Sequence, residues 1–142
     1  MTEVRLIRVA RFSAVHRYWR REWSAERNRA VFGAQADPHG HDYRAEVEVS
    51  GPVDAETGWV ADLSELDRLL DEVLGPLGDA DLNEAIPEAR SGEMLPSTEG
   101  LAIWLWRRLE ERIPGHARLR RVRLWESGEL GAEVSAGGLS DG

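Results

Sequence analysis

The strongest constraint on the fold is a pair of histidines that opens an alternating segment. In HGHDYRAEVEV, residues 39–49, the odd-numbered positions hold histidine, tyrosine, alanine and valine, while the even-numbered positions from 42 onward are charged. This alternation is typical of a strand with one buried face, because successive side chains point to opposite sides. His39 and His41 are therefore expected at the start of an apolar strand face.

A second predicted strand, residues 4–16, adds a third histidine. Apart from Arg8, its even-numbered positions hold Val4, Leu6, Ala10, Phe12, Ala14 and His16. If the two strands pair antiparallel, the end of the first lies beside the start of the second, and His16 meets His39 and His41. Three imidazoles with a fourth position open are typical ligands of catalytic zinc, so we predict a Zn²⁺ site. His116, in a Pro-Gly-His turn, has no predicted role.

Composition narrows the class of protein. A chain of 142 residues fits one domain, residues 1–142. No apolar run approaches the roughly 20 residues needed to cross a bilayer, and the charged first dozen residues do not resemble a signal peptide, so a cytoplasmic protein without membrane contact is expected. The absence of cysteine excludes disulfides and thiolate ligands. A net charge of −8 argues against a nucleic-acid partner.

The connection between the two strands, residues 17–38, is rich in arginine. It contains two tryptophans and the arginines Arg17, Arg20, Arg21, Arg27 and Arg29. One interpretation is a flap that binds an anionic small molecule, because guanidinium groups bind phosphate and carboxylate oxygens in pairs. The other is a solvated loop or short helix whose arginines pair with Glu22 and Glu26.

The rest of the chain predicts two helices and two more strands. The first helix follows an Asp62 cap and ends at residues 75–76, and residues 77–96 are expected to be mainly loop with one helical turn. The second helix begins at residues 96–99 and buries a face that reaches Ile113 before Pro114. Strands at residues 119–126 and 130–136 form a hairpin. This ββααββ order predicts an α+β fold, with two helices on one face of a four-stranded antiparallel sheet. The exposed edges of such a sheet favour strand pairing between subunits.

Glu126 ends the third predicted sheet strand. It continues the apolar row of Val122 and Leu124. Burying an unpaired carboxylate costs several kcal/mol, so Glu126 is expected to have a partner.

Five motifs together resemble the 6-pyruvoyl-tetrahydropterin synthase and 6-carboxy-tetrahydropterin synthase family. They are FSAVHR, HGHDY, GWVADL, PSTE and LWE, at residues 12–17, 39–43, 58–63, 96–99 and 124–126. Each motif alone is a weak signal, but the ordered set is fairly specific. The resemblance covers residues 4–136.

The resemblance implies a fold, a metal and a substrate. The fold is the tunnelling fold, in which subunits join their sheets into a barrel as homotrimers, often stacked into homohexamers. His16, His39 and His41 would hold zinc, Glu126 would anchor the pterin ring, and Thr98 and Glu99 would lie in its pocket. The implied activity is that of a lyase acting on the side chain of 7,8-dihydroneopterin triphosphate.

Two positions depart from the family pattern. The usual cysteine before the His-Gly-His motif is replaced, with Gln35 as the nearest equivalent, and the usual Asp-His pair after the first helix is absent. Asp37 and Asp79 are the candidate substitutes as the catalytic base, although surface carboxylates are ordinarily only solvated. Three alternatives remain open: a lyase with an altered proton relay, a zinc and pterin-binding homologue without turnover, and a zinc hydrolase of unknown substrate.

Overall fold

The computed structural model describes residues 3–137, which form one five-stranded sheet with helices packed on it. The strands are β1 (Arg5–His16), β2 (His39–Ser50), β3 (Ala80–Asp81), β4 (Arg118–Trp125) and β5 (Gly131–Ser135). The helices are α1 (Ala25–Phe32), α2 (Leu63–Leu74), α3 (Leu82–Ala85), α4 (Pro87–Ser91) and α5 (Thr98–Leu109). The expected single domain, residues 1–142, includes residues 1–2 and 138–142, which lie outside the described part of the chain.

The sheet has the order β3-β1-β2-β4-β5, and every neighbouring pair except β3 and β1 is antiparallel. The predicted α+β class and antiparallel character are confirmed, but the prediction of four strands was wrong by one. The two-residue β3 is too short to produce an alternating pattern. It forms because the chain after α2 lies along the edge of β1, where the Asp79 amide donates to the Ser13 carbonyl at 2.6 Å.

Two long helices cover one face of the sheet, as predicted. α2 buries five residues at helical spacing, Leu66, Leu69, Leu70, Val73 and Leu74. α5 buries Leu101, Ala102, Trp104, Leu105 and Leu109 along with Thr98. These side chains share one core with the inward rows of β1, β2 and β4, which contain Tyr43, Val47, Val122 and Leu124. Burying this apolar surface holds the helices against the sheet.

The helix starts were predicted correctly, and one helix end was not. Asp62 caps α2 by accepting from the amides of Ser64 and Glu65, and Ser97 caps α5 by accepting from Gly100. α5 ends at Leu109 rather than near Ile113. A tight turn follows the helix, in which the Arg112 amide donates to the Leu109 carbonyl three residues back.

Both connecting segments contain short helices. A short helix was one of the expectations for residues 17–38, and one helical turn was expected in residues 77–96, where two short helices form. Residues 17–38 include α1, capped by Ser24. The fully buried Asn28 organises the turn before it, accepting from the Arg20 amide at 2.7 Å and donating to the Arg20 carbonyl at 2.9 Å. Residues 77–96 include α3, capped by Asp81, and α4, which begins at Pro87. Helices of four to eight residues give too few periodic positions to be recognised from sequence.

Within residues 3–137, no helix is long and apolar enough to cross a membrane.

Candidate functional site

The pairing of β1 with β2 brings three histidines to one place. In this antiparallel register His16 lies opposite His39, and His41 lies opposite Ala14. The His16 ring centre is 4.5 Å from that of His39 and 5.0 Å from that of His41, and the His39 and His41 rings are 5.0 Å apart. One nitrogen from each ring can be chosen so that all three lie within 4.8 Å of one another. This group could hold a metal ion.

Two of the imidazoles are oriented by backbone carbonyls. His16 Nδ1 lies 2.7 Å from the Pro96 carbonyl, and His39 Nδ1 lies 2.9 Å from the Asp37 carbonyl. A carbonyl only accepts, so both Nδ1 atoms carry the proton and donate. That tautomer leaves the Nε2 lone pairs free. Holding the outer ring nitrogen on an oxygen is the usual way in which proteins orient a metal-binding histidine.

Two buried nitrogens support the fit of a metal ion. Within residues 3–137, His16 Nε2 and His41 Nε2 are buried without a hydrogen-bond partner. His41 Nε2 lies 2.7 Å from Glu126 Oε2, but the ring does not direct an N–H at that oxygen, so this is a close contact and not a hydrogen bond. Buried polar atoms normally have partners. An ion ligated by the three imidazoles would satisfy both nitrogens.

The protonation state of His16 also suits a ligand. Burial lowers its pKa below the ordinary value, and the neighbouring imidazoles of His39 and His41 lower it further. The Pro96 carbonyl and the Glu126 carboxylate oppose this shift. Because burial is the largest cause, the neutral ring is favoured, and a metal binds the neutral form of imidazole.

Glu126 is buried beside the histidines and has the partner that its position requires. Only 7% of the residue is exposed. The Thr98 hydroxyl donates to Glu126 Oε1 at 2.6 Å, and Oε2 makes the contact with His41. Thr98 is the first residue of α5, and the Ser97 cap before it positions that end of the helix. The start of α5 therefore contacts both parts of the site, His16 through Pro96 and Glu126 through Thr98.

Sequence reasoning assigned no role to the two tyrosines of the site. Tyr43 is fully buried, stacks on Phe12 with ring centres 4.9 Å apart, and places its hydroxyl 3.4 Å from His16 Nδ1. Burial raises the pKa of Tyr43. Tyr18 packs edge-on against His16 with ring centres 5.5 Å apart. The sequence offered one signal for Tyr18. Tyr18 follows His16 by two residues and would share its face if the strand continued, but β1 ends at His16.

The structure places the two candidate bases, Asp37 and Asp79, in different surroundings. The Asp37 carboxylate is well exposed and pairs with Arg29 at 3.0 Å, next to the backbone that orients His39. Asp79 has a left-handed backbone, φ 58°, and lines an open cavity of about 370 Å³ with Val15, Gly40 and His41. Within residues 3–137 neither carboxylate directly contacts an imidazole of the three histidines. Glu99 is exposed in the first turn of α5.

The arginine-rich segment is ordered mainly by its own aromatic residues. The Arg17 guanidinium lies 4.4 Å from the Trp19 ring centre, and that of Arg27 lies 3.9 Å from the Trp23 ring centre. Asn83 holds the Arg17 backbone through both its amide and its carbonyl. Arg20 approaches Glu22 at 3.7 Å. The short helix of the second interpretation is thus present, and the ion pair with Glu22 is formed, whereas Glu26 forms no ion pair within residues 3–137.

Fold and site together define the class: an α+β protein of the tunnelling fold, with a three-histidine group beside a buried carboxylate. The family model described as 6-pyruvoyl tetrahydropterin synthase matches residues 5–136. The chain belongs to the 6-pyruvoyl tetrahydropterin synthase family.

Relatives of this chain carry different names. The chain is 35% identical over 112 residues to a 6-pyruvoyl tetrahydrobiopterin synthase of Poecilia reticulata, covering 77% of this chain and 75% of the relative. It is 30% identical over 132 residues to a dihydroneopterin monophosphate aldolase of Pyrococcus furiosus, covering 93% and 97% of the two chains. The solved structure of Caenorhabditis elegans 6-pyruvoyl tetrahydropterin synthase superposes with a TM-score of 0.85 at 26% identity, covering 95% of this chain and 96% of that one.

Proposed function

We propose that this protein is a zinc-dependent lyase that acts on the side chain of a phosphorylated 7,8-dihydroneopterin. The observation that carries the proposal is the contact between the two halves of the site: Glu126 Oε2 lies 2.7 Å from His41, one of three histidines that could share an ion. A pterin ring held at the carboxylate would place its side chain towards the histidines.

The proposed role of Glu126 is to anchor the heterocycle. A pterin presents an amino group and a ring N–H on one edge, and a carboxylate accepts from such a pair of donors. The Thr98 hydroxyl holds one oxygen of Glu126 at 2.6 Å and so limits rotation of the carboxylate. Thr98 and the exposed Glu99 would line this pocket at the start of α5.

His16, His39 and His41 would hold the zinc ion. When bound, zinc supplies Lewis acidity, which polarises oxygen atoms of the substrate side chain and makes their protons easier to remove. This chain contributes imidazoles that are already oriented, because backbone carbonyls fix the rings of His16 and His39.

The proposed base is Asp37 or Asp79. A positioned carboxylate that moves a proton contributes typically 10² to 10⁴ in rate. Asp79 borders a cavity shared with His41, whereas Asp37 already pairs with Arg29. Steady-state kinetics of Asp37→Asn and Asp79→Asn assign the role: kcat should fall about 100-fold or more in the variant that lacks the base. If both variants keep the wild-type kcat, neither carboxylate is the base.

Two reaction types are open to this site. A synthase removes the phosphate chain, whereas an aldolase breaks a carbon–carbon bond of the side chain. The aldolase of Pyrococcus furiosus aligns with nearly the whole of both chains, which favours carbon–carbon cleavage as the second candidate. In either case the protein is proposed to assemble as a homotrimer or a homohexamer and to work in the cytoplasm.

The direct test is incubation of the zinc-loaded protein with 7,8-dihydroneopterin triphosphate and, separately, with the monophosphate, followed by mass spectrometry. Release of inorganic triphosphate identifies a synthase, and a phosphorylated aldehyde with a shortened pterin identifies an aldolase. Pterin binding without product supports a binding protein that lacks turnover. Absence of both binding and product contradicts the proposal.

A matched pair of variants tests the anchor. Glu126→Ala should abolish pterin binding, because the ligand's donors lose their acceptor. Glu129→Ala should bind as the wild type does, because Glu129 is exposed in the turn between β4 and β5. Unchanged pterin binding in Glu126→Ala would exclude this carboxylate as the anchor. A zinc hydrolase with another substrate would keep its activity in this variant.

A further inference from the structure

A small cavity adjoins the His16 side of the three-histidine group. Its volume is about 130 Å³, below the roughly 300 Å³ at which pockets begin to hold drug-sized ligands. Arg17, which directly follows His16, lines the cavity, and so does Leu95, which directly precedes Pro96. The Pro96 carbonyl accepts from His16 Nδ1 at 2.7 Å, so each of these wall residues is the chain neighbour of one partner in that hydrogen bond. The cavity therefore suits a small chemical group next to the proposed metal site.

Three arginines of the arginine-rich segment border this cavity. Arg17, Arg20 and Arg21 line it together with Trp19. The Arg17 guanidinium lies 4.4 Å from the Trp19 ring centre and forms no ion pair within residues 3–137. Contact with an aromatic ring uses the face of a guanidinium and leaves its N–H donors available for an oxygen anion. Arg17 thus brings to the cavity a positive charge that no carboxylate of the described chain pairs with.

The arginines are held in place by other parts of the cavity wall. Asn83, in α3, accepts from the Arg17 amide at 2.9 Å and donates to the Arg17 carbonyl at 3.1 Å. Arg20 Nη1 donates to the carbonyl of Gly92, just after α4, at 3.3 Å. Both Asn83 and Gly92 line the same cavity. Groups that are already ordered lose less freedom when a ligand arrives, so this wall is prepared for binding.

Three carboxylates also line the cavity, but none of them is tightly paired with an arginine there. The Asp81 carboxylate accepts from the Asn83 amide at 3.0 Å. Glu22 and Glu84 lie 3.7 and 4.0 Å from cavity arginines, and their side chains are 62% and 63% exposed. Exposed ion pairs of this kind contribute little to stability. A phosphate group, with a charge of about −1.5 to −2 and three acceptor oxygens, can replace them.

We propose that this cavity binds a phosphate group of the substrate side chain, with Arg17 as its main ligand. This inference rests on the proposed function and adds the part of the site that recognises the phosphate. Glu126 lies beside His41, and the cavity lies beside His16. A pterin held at Glu126 with its side chain along the histidines would therefore direct its phosphate end towards the cavity. Guanidinium groups bind phosphate oxygens in pairs.

The test compares Arg17→Gln with Arg27→Gln. Arg27 is the matched control, because it also lies on a tryptophan of the same segment, 3.9 Å from the Trp23 ring centre, and does not line the cavity. Binding of neopterin monophosphate and of neopterin is measured by quenching of pterin fluorescence in the zinc-loaded protein.

Arg17→Gln should raise the Kd for neopterin monophosphate roughly 10- to 100-fold, the usual effect of losing hydrogen bonds to a charged group. The Kd for neopterin should stay within about twofold of the wild type, and Arg27→Gln should leave both values within about twofold. Arg17→Lys should cause a smaller rise than Arg17→Gln, because it keeps the charge and loses the paired donors. If Arg17→Gln loses zinc, Arg20→Gln takes its place, because Arg20 lines the cavity and does not adjoin a histidine in the chain.

Two results would overturn the phosphate site. One is a wild-type protein that binds neopterin monophosphate no more tightly than neopterin. The other is an equal loss of affinity for both pterins in Arg17→Gln, which would show that Arg17 acts through the neighbouring histidine.

Inorganic triphosphate, titrated alone by calorimetry, separates this proposal from the proposed function. If the wild type binds triphosphate at least tenfold more tightly than Arg17→Gln does but binds no pterin, the pterin function fails and the anion site stands. If the wild type turns over dihydroneopterin phosphates and Arg17→Gln binds neopterin monophosphate equally well, the phosphate site alone fails. A wild-type protein that binds neither pterin nor triphosphate rejects both proposals.

Discussion

His16 is the most deeply buried of the three histidines. It is almost fully buried, its Nδ1 is held by the Pro96 carbonyl, and its Nε2 is buried without a partner within residues 3–137. A polar ring in such a position is costly unless something satisfies both nitrogens. This is the physical reason to expect an ion there.

Replacing His16 should therefore abolish metal binding. His16→Ala leaves two imidazoles, which is too few for a tight zinc site, and we expect bound zinc to fall from about one ion per chain to near zero. Metal content of the purified protein, determined by mass spectrometry, measures this. The control is His116→Ala, because His116 is exposed and lies outside the group. Equal zinc content in the two variants would contradict the assignment.

The buried ring of His16 also predicts a pH dependence. Its pKa in the folded protein is lowered by burial, so the unfolded chain binds a proton more readily than the folded chain does. The stability that depends on the neutral ring is present above the ordinary value of 6.5 and is lost as pH falls towards the folded pKa. Urea unfolding with a chelator present should give a lower free energy of unfolding at pH 5 than at pH 7.5.

His16→Gln provides the comparison for this dependence. The variant lacks the ring that titrates, so the difference in unfolding free energy between the two pH values should become smaller. His116→Gln should keep the wild-type difference, because His116 is exposed and lies outside the three-histidine group. An equal difference in His16→Gln and the wild type would show that other groups cause the acid sensitivity.

Among the elements, α2 and α5 show how local sequence and packing combine. Each begins at a polar cap, Asp62 or Ser97, and each has an apolar stripe that the sheet covers. The cap determines where the helix starts, and the stripe determines which face is buried. Because α5 starts where Pro96 and Thr98 contact His16 and Glu126, its cap also positions the site.

Loss of the α2 cap should reduce stability without affecting the site. Asp62 accepts from the Ser64 amide at 2.9 Å and from the Glu65 amide at 3.4 Å. Asp62→Ala leaves these amides without an acceptor in the protein and should lower the free energy of unfolding by about 1 kcal/mol in urea titrations. Asp62→Asn keeps an acceptor oxygen and should lose much less. Equal losses in the two variants would show that the charge, and not the hydrogen bonds, is what matters.

The whole sheet has two edges that matter for assembly. Beyond its short contact with β3, the outer edge of β1 has no neighbouring strand within residues 3–137, and the same holds for the outer edge of β5. Unpaired backbone groups along such edges are usually covered by other parts of the protein or paired with a strand of another chain. The apolar Ile7 and Val9 are exposed near the open edge of β1.

We therefore expect the protein to be an oligomer in solution. Sedimentation velocity at micromolar concentration should give a species of three or six chains, because pairing β1 of one subunit with β5 of the next closes the sheets into a ring. A single species of the chain mass, 15.9 kDa, would contradict this prediction.

The sequence by itself determined the two paired strands, the face on which His16, His39 and His41 lie, the caps of α2 and α5, and the burial of Glu126. These features depend on local periodicity and capping, which neighbouring residues decide. The three-histidine group was predictable on the assumption that the two strands pair antiparallel, because that pairing puts the end of β1 beside the start of β2.

Only the tertiary structure decided which distant groups complete the site. Pro96 is 80 residues from His16, and Thr98 is 28 residues from Glu126, so no sequence pattern links them. The position of Tyr18 against His16 depends on how the segment after β1 folds, with Tyr18 packed on Phe32 and its amide on the Gln35 carbonyl. The short β3 also forms only because an edge of β1 is available. These contacts join residues far apart along the chain, and packing, not local propensity, sets their geometry.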